Sequence, residues 1–304
     1  NNLPGFVAMS PVAKPRGNVA NWGNSFLPGA YAGSYVNIRE MKSDAILRDL
    51  GKPSSLSSEQ RKQADLLSQL NKMHLDRRQQ DQQLEAAIAS MEMAFRMQTS
   101  VPELTDISRE PESSLKLYGP EVKRPGTYAA NCLLARRLVE RGVRFVQIWS
   151  GNDNGFPRRN WDSHEDIARD HAPLSLGMAK GTAALIQDLK DRGMLDDTLI
   201  IWGGEFGRTP YAQGGANREK YGRDHHGKAF SIWMAGGGIK PGMTFGSTDD
   251  FGFNVAENPV HIHDIQATML HCLGLDHERL TYEFQGRRFR LTDVFGNVIN
   301  PVLI

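Results

Sequence analysis

Three short segments concentrate side chains able to do metal and anion chemistry. The first is Gly203-Gly204-Glu205-Phe206-Gly207-Arg208-Thr209-Pro210. Its paired glycines let the backbone turn sharply and approach a ligand closely. Glu205 follows the apolar run Thr198 to Trp202, and a carboxylate beside a buried strand is costly unless a cation compensates it. Arg208 offers a planar fork suited to a tetrahedral oxyanion such as phosphate or sulfate; the alternative is a mutual Glu205–Arg208 salt bridge. The second segment is Gly222-Arg223-Asp224-His225-His226-Gly227. Adjacent histidines in extended chain point to opposite sides, so one of His225 and His226 ligates and the other meets substrate or solvent. The third is Trp161-Asp162-Ser163-His164-Glu165-Asp166, with Asn152-Asp153-Asn154 before it and His171 after it. Asp162 and His164 can aim a hard oxygen and an imidazole nitrogen at one cation. The alternative is that Asp162 or Ser163 caps the following helix.

Pooled, the segments supply five candidate metal ligands, Asp162, His164, Glu205, His225 and His226, and two candidate oxyanion binders, Arg208 and Arg223. Mixed nitrogen and oxygen donors suit Zn, Mn or Fe, with Mg or Ca at an oxygen-rich subsite. Such an inventory belongs to metal-assisted hydrolysis, in which a cation polarises an oxyanion and activates a nucleophile. Other motifs carry less. Gly236-Gly237-Gly238-Ile239-Lys240 lacks the Gly-Lys-Ser/Thr ending of a phosphate loop and reads as a turn. His261 and His263 read as packing at a strand end, and His74, His271 and His277 carry no signal. Arg287-Arg288-Phe289-Arg290 is too narrow a basic cluster for nucleic acid.

The elements that must hold these loops follow from the hydrophobic pattern. Thr127 to Arg141 reads as a helix stopped by Gly142, and Val143 to Trp149 as a strand. A second helix is expected from about Leu174 to Arg192, ending at Gly193, then strands at Thr198 to Trp202 and Ala229 to Met234. The continuous apolar run to Trp202 predicts a strand covered on both faces. Asp264 can cap a helix ending at Gly274. This alternation predicts an α/β fold, a mostly parallel sheet with helices on both faces. Ligands in such sheets bind at the carboxyl ends of strands, which selects residues 150–173, 203–227 and 235–262. Residues 1–55 read as irregular, and residues 56–99 as helical, with Leu84, Ile88, Met91 and Phe95 on one face. The expected division is therefore 1–126, an irregular segment and helical insertion, against 127–304, the α/β part.

Composition is that of an ordinary globular chain. Thirty-six basic against 35 acidic side chains give no reason to expect nucleic acid, and no apolar run approaches a membrane span. Cys132 and Cys272 sit in apolar helical contexts and read as free thiols rather than a disulfide.

Leu133 to Val146, Trp161-Asp162-Ser163-His164, Gly203 to Pro210 and Gly222-Arg223-Asp224-His225 together resemble the bacterial domain-of-unknown-function family 1501, a sulfatase-like group. Met91 to Gln98 and the closing Leu280 to Asp293 extend the resemblance over essentially the whole chain. That family is similar to the alkaline phosphatase and sulfatase superfamily, whose members hydrolyse phosphate and sulfate esters with one or two cations. The resemblance implies an alkaline phosphatase-like fold in which Asp162 and His164 serve one metal. It sets Glu205 where the superfamily has an Asp followed by His. His225, with His226 the alternative, falls at a His-Gly pair before the next strand, and the Asp264 to Gly274 helix resembles the C-terminal one. Two departures stand out. Glu205-Phe206 replaces the Asp-His pair, and the superfamily's first metal-binding Asp and its nucleophile fall before this chain begins.

The expectation is a metal-dependent phosphate or sulfate ester hydrolase, this chain being a C-terminal portion that lacks the start of its sheet. It would act on an anionic small molecule or polysaccharide ester with a divalent cation (Zn, Mn, Mg or Ca). By resemblance the complete protein is periplasmic or secreted, and open sheet edges favour a homo-oligomer. A non-catalytic binding protein for acidic or sulfated ligands on the same fold is the alternative, and a phosphomutase-like transferase a third reading.

Overall fold

The computed structural model describes residues 3–11, 14–15, 17–36, 66, 69, 73, 103–151, 160–213 and 220–304. The expected Leu84–Phe95 helix face, His74 and the Asn152-Asp153-Asn154 segment lie outside the described residues. Two compact units are formed, one by residues 1–160 with 173–185, the other by 161–172 with 186–304. Residues 127–160 thus share the first unit with the segment that precedes them.

The first unit is built on a parallel sheet of three strands, β1 (Phe6–Met9), β2 (Ser34–Val36) and β3 (Phe145–Ile148), in the order β2-β1-β3. Val7, Ala8 and Met9 are fully buried, as the uninterrupted apolar run of a central parallel strand should be. This corrects the expectation that residues 1–55 are wholly irregular. Four apolar residues are too few for periodicity to separate strand from loop, and what makes them a strand is a distant partner, β3.

Helical segments complete the unit, residues 173–185 among them. Helix α1 spans Glu112–Tyr118, and α2 spans Tyr128–Glu140 with the Thr127 hydroxyl accepting from Ala130 N at 3.2 Å. Gly142 ends α2 with φ +83°, a conformation that favours glycine. Ala130, Leu134 and Leu138 join the sheet core of Leu3, Val7, Met9 and Val143. Ala129, Cys132 and Leu133 turn to a second cluster with Leu115, Tyr118, Val122 and Ala184. Both cysteines are free thiols, as expected, and burial pushes Cys132 up to about 12. A buried ion cluster ties the 103–110 segment to α2. Arg136 and Arg137 both meet the Glu110 carboxylate, and Arg137 also donates to the carbonyls of Glu103, Leu104 and Asp106.

Helix α3 runs from Ile167 to Asp191, with the Asp166 side chain capping it through Arg169 N at 3.0 Å. It therefore starts earlier than Leu174. Pro173 lies in the second turn, where it removes one backbone donor without ending the helix.

In the second unit, β4 (Ile200–Trp202) pairs antiparallel with β7 (Trp233–Ala235), and β5 (Gly207–Arg208) antiparallel with β6 (His225–His226). Further antiparallel pairs are β8 (Ser247–Thr248) with β9 (Val255–Glu257), and β10 (Thr281–Phe284) with β11 (Arg287–Arg290). The described chain is thus mixed α/β, with one small parallel sheet and several antiparallel pairs, where a mostly parallel sheet was expected. Parallel neighbours need a long crossover, usually a helix. Between β4 and β7 the described residues form a β-ribbon and no helix, so the return strand lies antiparallel. Nor is β4 covered on both faces: Ile201 is 39% exposed. Gly236, Gly237 and Gly238 form the expected turn, all with positive φ. Helix α4 spans Ile262–Cys272, and its N-cap is His261. Asp264 closes the capping box by accepting from His261 N at 2.8 Å, and His263 stacks on Phe295. Among the described residues no helix is long and apolar enough to cross a membrane.

Candidate metal centre

The site forms within the second unit from two chain segments laid against each other. The 161–164 turn is anchored below its exposed side chains. Ser163 is buried and its hydroxyl donates to Asp170 Oδ2 at 2.7 Å, while its carbonyl accepts from Arg223 N at 3.1 Å. Asp170 is buried too, and Arg169 Nε donates to it at 2.7 Å. The Arg169 hydrogen bond holds the Asp170 carboxyl below its ordinary range; burial opposes this and the Ser163 hydroxyl adds to it. His171 Nε2 meets the Trp161 carbonyl at 2.8 Å, which fixes that nitrogen as the donor. Tyr221 O accepts from Ile167 N at 3.1 Å, so the 221–223 stretch runs flush along the turn. Gly222 makes this possible. A Cβ there would sit 1.9 Å from the carbonyl carbon of His164 and 2.3 Å from Glu165 N.

The β5–β6 ribbon pairs Arg208 with His225 and Gly207 with His226. Side chains alternate along a strand, so the two histidines part. His225 shares a face with Phe206, whose ring lies 4.3 Å from its own, and with Arg208. His226 turns to the other face, and its Nε2 donates to the Phe253 carbonyl at 2.8 Å.

On the first face the donors converge. Asp162 Oδ1 lies 2.8 Å from His164 Nε2, 2.7 Å from His225 Nε2 and 2.7 Å from an Arg208 terminal nitrogen. The two Nε2 atoms are 3.2 Å apart. Burial would raise the Asp162 carboxyl, but hydrogen bonds from His225 and Arg208, with the Arg208 and His164 charges, hold it well below the usual carboxylate range. Behind His164, its Nδ1 meets Gln213 Oε1 at 2.5 Å. Two imidazole nitrogens and one carboxylate oxygen within reach of a single point form a donor set that fits Zn, Mn or Fe.

Asp162, His164 and His225 are therefore brought together, as expected. Glu205 is exposed and lies outside the cluster, so the burial cost that singled it out does not arise. His226 is diverted to Phe253. Arg208 forms its ion pair with Asp162 rather than Glu205, and its other terminal nitrogen donates to the Arg223 carbonyl at 3.2 Å. Arg223 supplies backbone groups to this framework, and the residue is exposed. Two residues had no ligand-like signal in the sequence, Gln213 and Asp170. Asp170 falls in the 150–173 stretch expected to be a loop, and its side chain becomes meaningful only beside Ser163 and Arg169. Gln213 enters only through its bridge to Gly222.

No curated protein and no solved structure matches this chain. The family model described as "Protein of unknown function (DUF1501)" matches residues 1–303. The motifs that carry the candidate metal centre and the strands and helices that hold them thus lie within one continuous family match, and the chain belongs to the DUF1501 family.

Proposed function

We propose that the chain carries a single-cation centre, held by Asp162, His164 and His225, that serves hydrolysis of phosphate or sulfate esters. The observation that carries this reading is the convergence of the Asp162, His164 and His225 donor atoms beside the Arg208 guanidinium. When bound, a divalent cation such as Zn, Mn or Fe supplies Lewis-acid polarisation of an ester oxyanion. Arg208 keeps the Asp162 carboxylate ionised and oriented, and its remaining N–H groups, with the exposed Arg223, suit the oxyanion's other oxygens. His225 and Asp162 keep 46% and 41% of their side-chain surface, which leaves the centre open to an ester group on a large anionic molecule, a polysaccharide included. The same reading takes the fold as alkaline phosphatase-like, the protein as exported, and the chain as self-associating through sheet edges.

A second reading is a non-catalytic binder of acidic or sulfated ligands on the same fold. Phe206 favours it, because an apolar ring, 4.3 Å from that of His225, occupies the sequence position where the resemblance sets a second imidazole ligand, and Glu205 is exposed. Metal analysis combined with aryl phosphate and aryl sulfate assays separates the two. Hydrolysis that needs a divalent cation and is lost in His225→Ala supports the hydrolase. One bound cation with saturable binding of a sulfated oligosaccharide and no turnover supports the binder. Absence of any bound cation contradicts both.

A further inference from the structure

We infer that Gln213 fixes the tautomer of His164, holding its proton on Nδ1 so that the Nε2 lone pair faces Asp162 and His225. This deepens, and for its consequence rests on, the cation reading above. The Gln213 Oε1 atom lies 2.5 Å from His164 Nδ1, and an amide oxygen only accepts, so Nδ1 must donate. A neutral imidazole carries one N–H, which leaves Nε2 unprotonated. At Nδ1 no other acceptor competes among the described residues; the Asp162 carboxylate, 2.8 Å from Nε2, faces the other nitrogen. Asp224 Oδ1 stands 3.8 Å from Nδ1, beyond hydrogen-bond reach, and accepts from His225 N at 2.8 Å instead.

The placement of Gln213 is not incidental to a floppy side chain. Its backbone N–H donates to the Gly222 carbonyl at 2.9 Å, and the two residues form a β-bridge. Gly222 in turn lies flush against the His164 carbonyl carbon, with no room for a Cβ between them. Gln213, Gly222 and His164 are thus three corners of one framework, and the ring plane of His164 is set from behind. With the proton on Nδ1, Nε2 points its lone pair at Asp162 Oδ1 over 2.8 Å, acceptor against acceptor. A cation between them turns that contact from repulsive to attractive. The same logic governs metal-binding histidines generally, whose second nitrogen donates to a carbonyl or carboxylate that orients the ring. Glutamine does this without adding a charge to a centre already holding one carboxylate.

The test uses the whole chain in four forms: unaltered, Gln213→Met, Gln213→Glu and, for assignment, His164→Ala. Two-bond ¹H–¹⁵N correlation spectra of metal-free protein are recorded with ¹⁵N-labelled histidine, well above the ordinary histidine range of about 6.5. His164 is identified by the signal lost in His164→Ala. The unaltered chain is expected to show a protonated Nδ1 and a bare Nε2 at His164. Gln213→Met, which keeps the length and loses the acceptor, is expected to lose that pattern and bind Zn(II) about 10–100-fold more weakly. Gln213→Glu is expected to restore both. A His164 protonated on Nε2 in the unaltered chain overturns the inference, as does an unchanged spectrum in Gln213→Met. An Nδ1–H tautomer lost in Gln213→Met, in a chain that binds no cation, upholds the inference and removes the cation reading instead.

Discussion

The Nε2 atoms of His164 and His225 lie 3.2 Å apart, and both face one oxygen of Asp162. Ring nitrogens this close cannot both direct lone pairs into the gap unless something positive sits there. Arg208 supplies part of the compensation from one side, through its 2.7 Å contact with the same Asp162 oxygen. The remaining space is framed by two nitrogens and an oxygen, the coordination preference of a borderline cation rather than of an oxygen-loving one.

Adjacent histidines give a sharp discrimination. His225→Ala removes a proposed ligand and is expected to weaken Zn(II) binding by more than the roughly 10–100-fold that loss of a supporting residue costs. His226→Ala removes contacts with the carbonyl and ring of Phe253, and isothermal titration should find cation affinity close to that of the unaltered chain.

Gly222 tolerates no side chain, because backbone and not a flexible side chain fills the space beside it. Gly222→Ala must push the 221–223 stretch off the 163–167 turn. Overpacking of this kind costs about 1–3 kcal/mol, to be read from denaturant unfolding. The same shift separates Arg223 N from Ser163 O, so cation binding should weaken with it.

Asp170 supports the site from inside. Asp170→Ala removes the acceptor of both Ser163 and Arg169, hydrogen bonds to a charged group worth about 1.5–3 kcal/mol in such a place. The pH dependence has a defined sign. Because the folded carboxyl is held below its ordinary value, its contribution is fully present above about 3.9 and is lost as pH falls through the folded value. Acid unfolding of Asp170→Asn should therefore begin from lower stability and fall less steeply below about pH 4.

Glu110 is the shared acceptor of Arg136 and Arg137, its side chain only 6% exposed. Glu110→Ala leaves two guanidinium groups without their common carboxylate. Breaking a buried pair from one side costs about 3–5 kcal/mol, and guanidinium chloride unfolding should register a loss of that size.

How much of this was legible depended on how local each cause was. The α2 helix could be read outright, because the Thr127 cap, the apolar face and the Gly142 stop all lie in one short stretch. The ligand segments were legible too, since Asp, Ser and His in a loop after a strand, and His-His-Gly before one, are unusual residue types in unusual places. Which histidine joins the cluster was not, because that turns on the pairing of Arg208 with His225 across β5 and β6. Glu205 looked costly only on the premise of a doubly covered strand, and β4 is not one. Strand β1 and Gln213 were invisible for the same reason as each other: a four-residue apolar run and a lone amide become meaningful only beside β3 and His164, far away in sequence.

The most direct measurement is a cobalt(II) titration of the metal-free chain, followed by its visible d–d absorption, with His164→Ala and His225→Ala beside it. One equivalent of cobalt should bind and produce the bands of a mixed nitrogen and oxygen site, with both variants losing them. Failure of the unaltered chain to bind cobalt saturably, or bands that persist unchanged in the two variants, would contradict a cation centre at Asp162, His164 and His225.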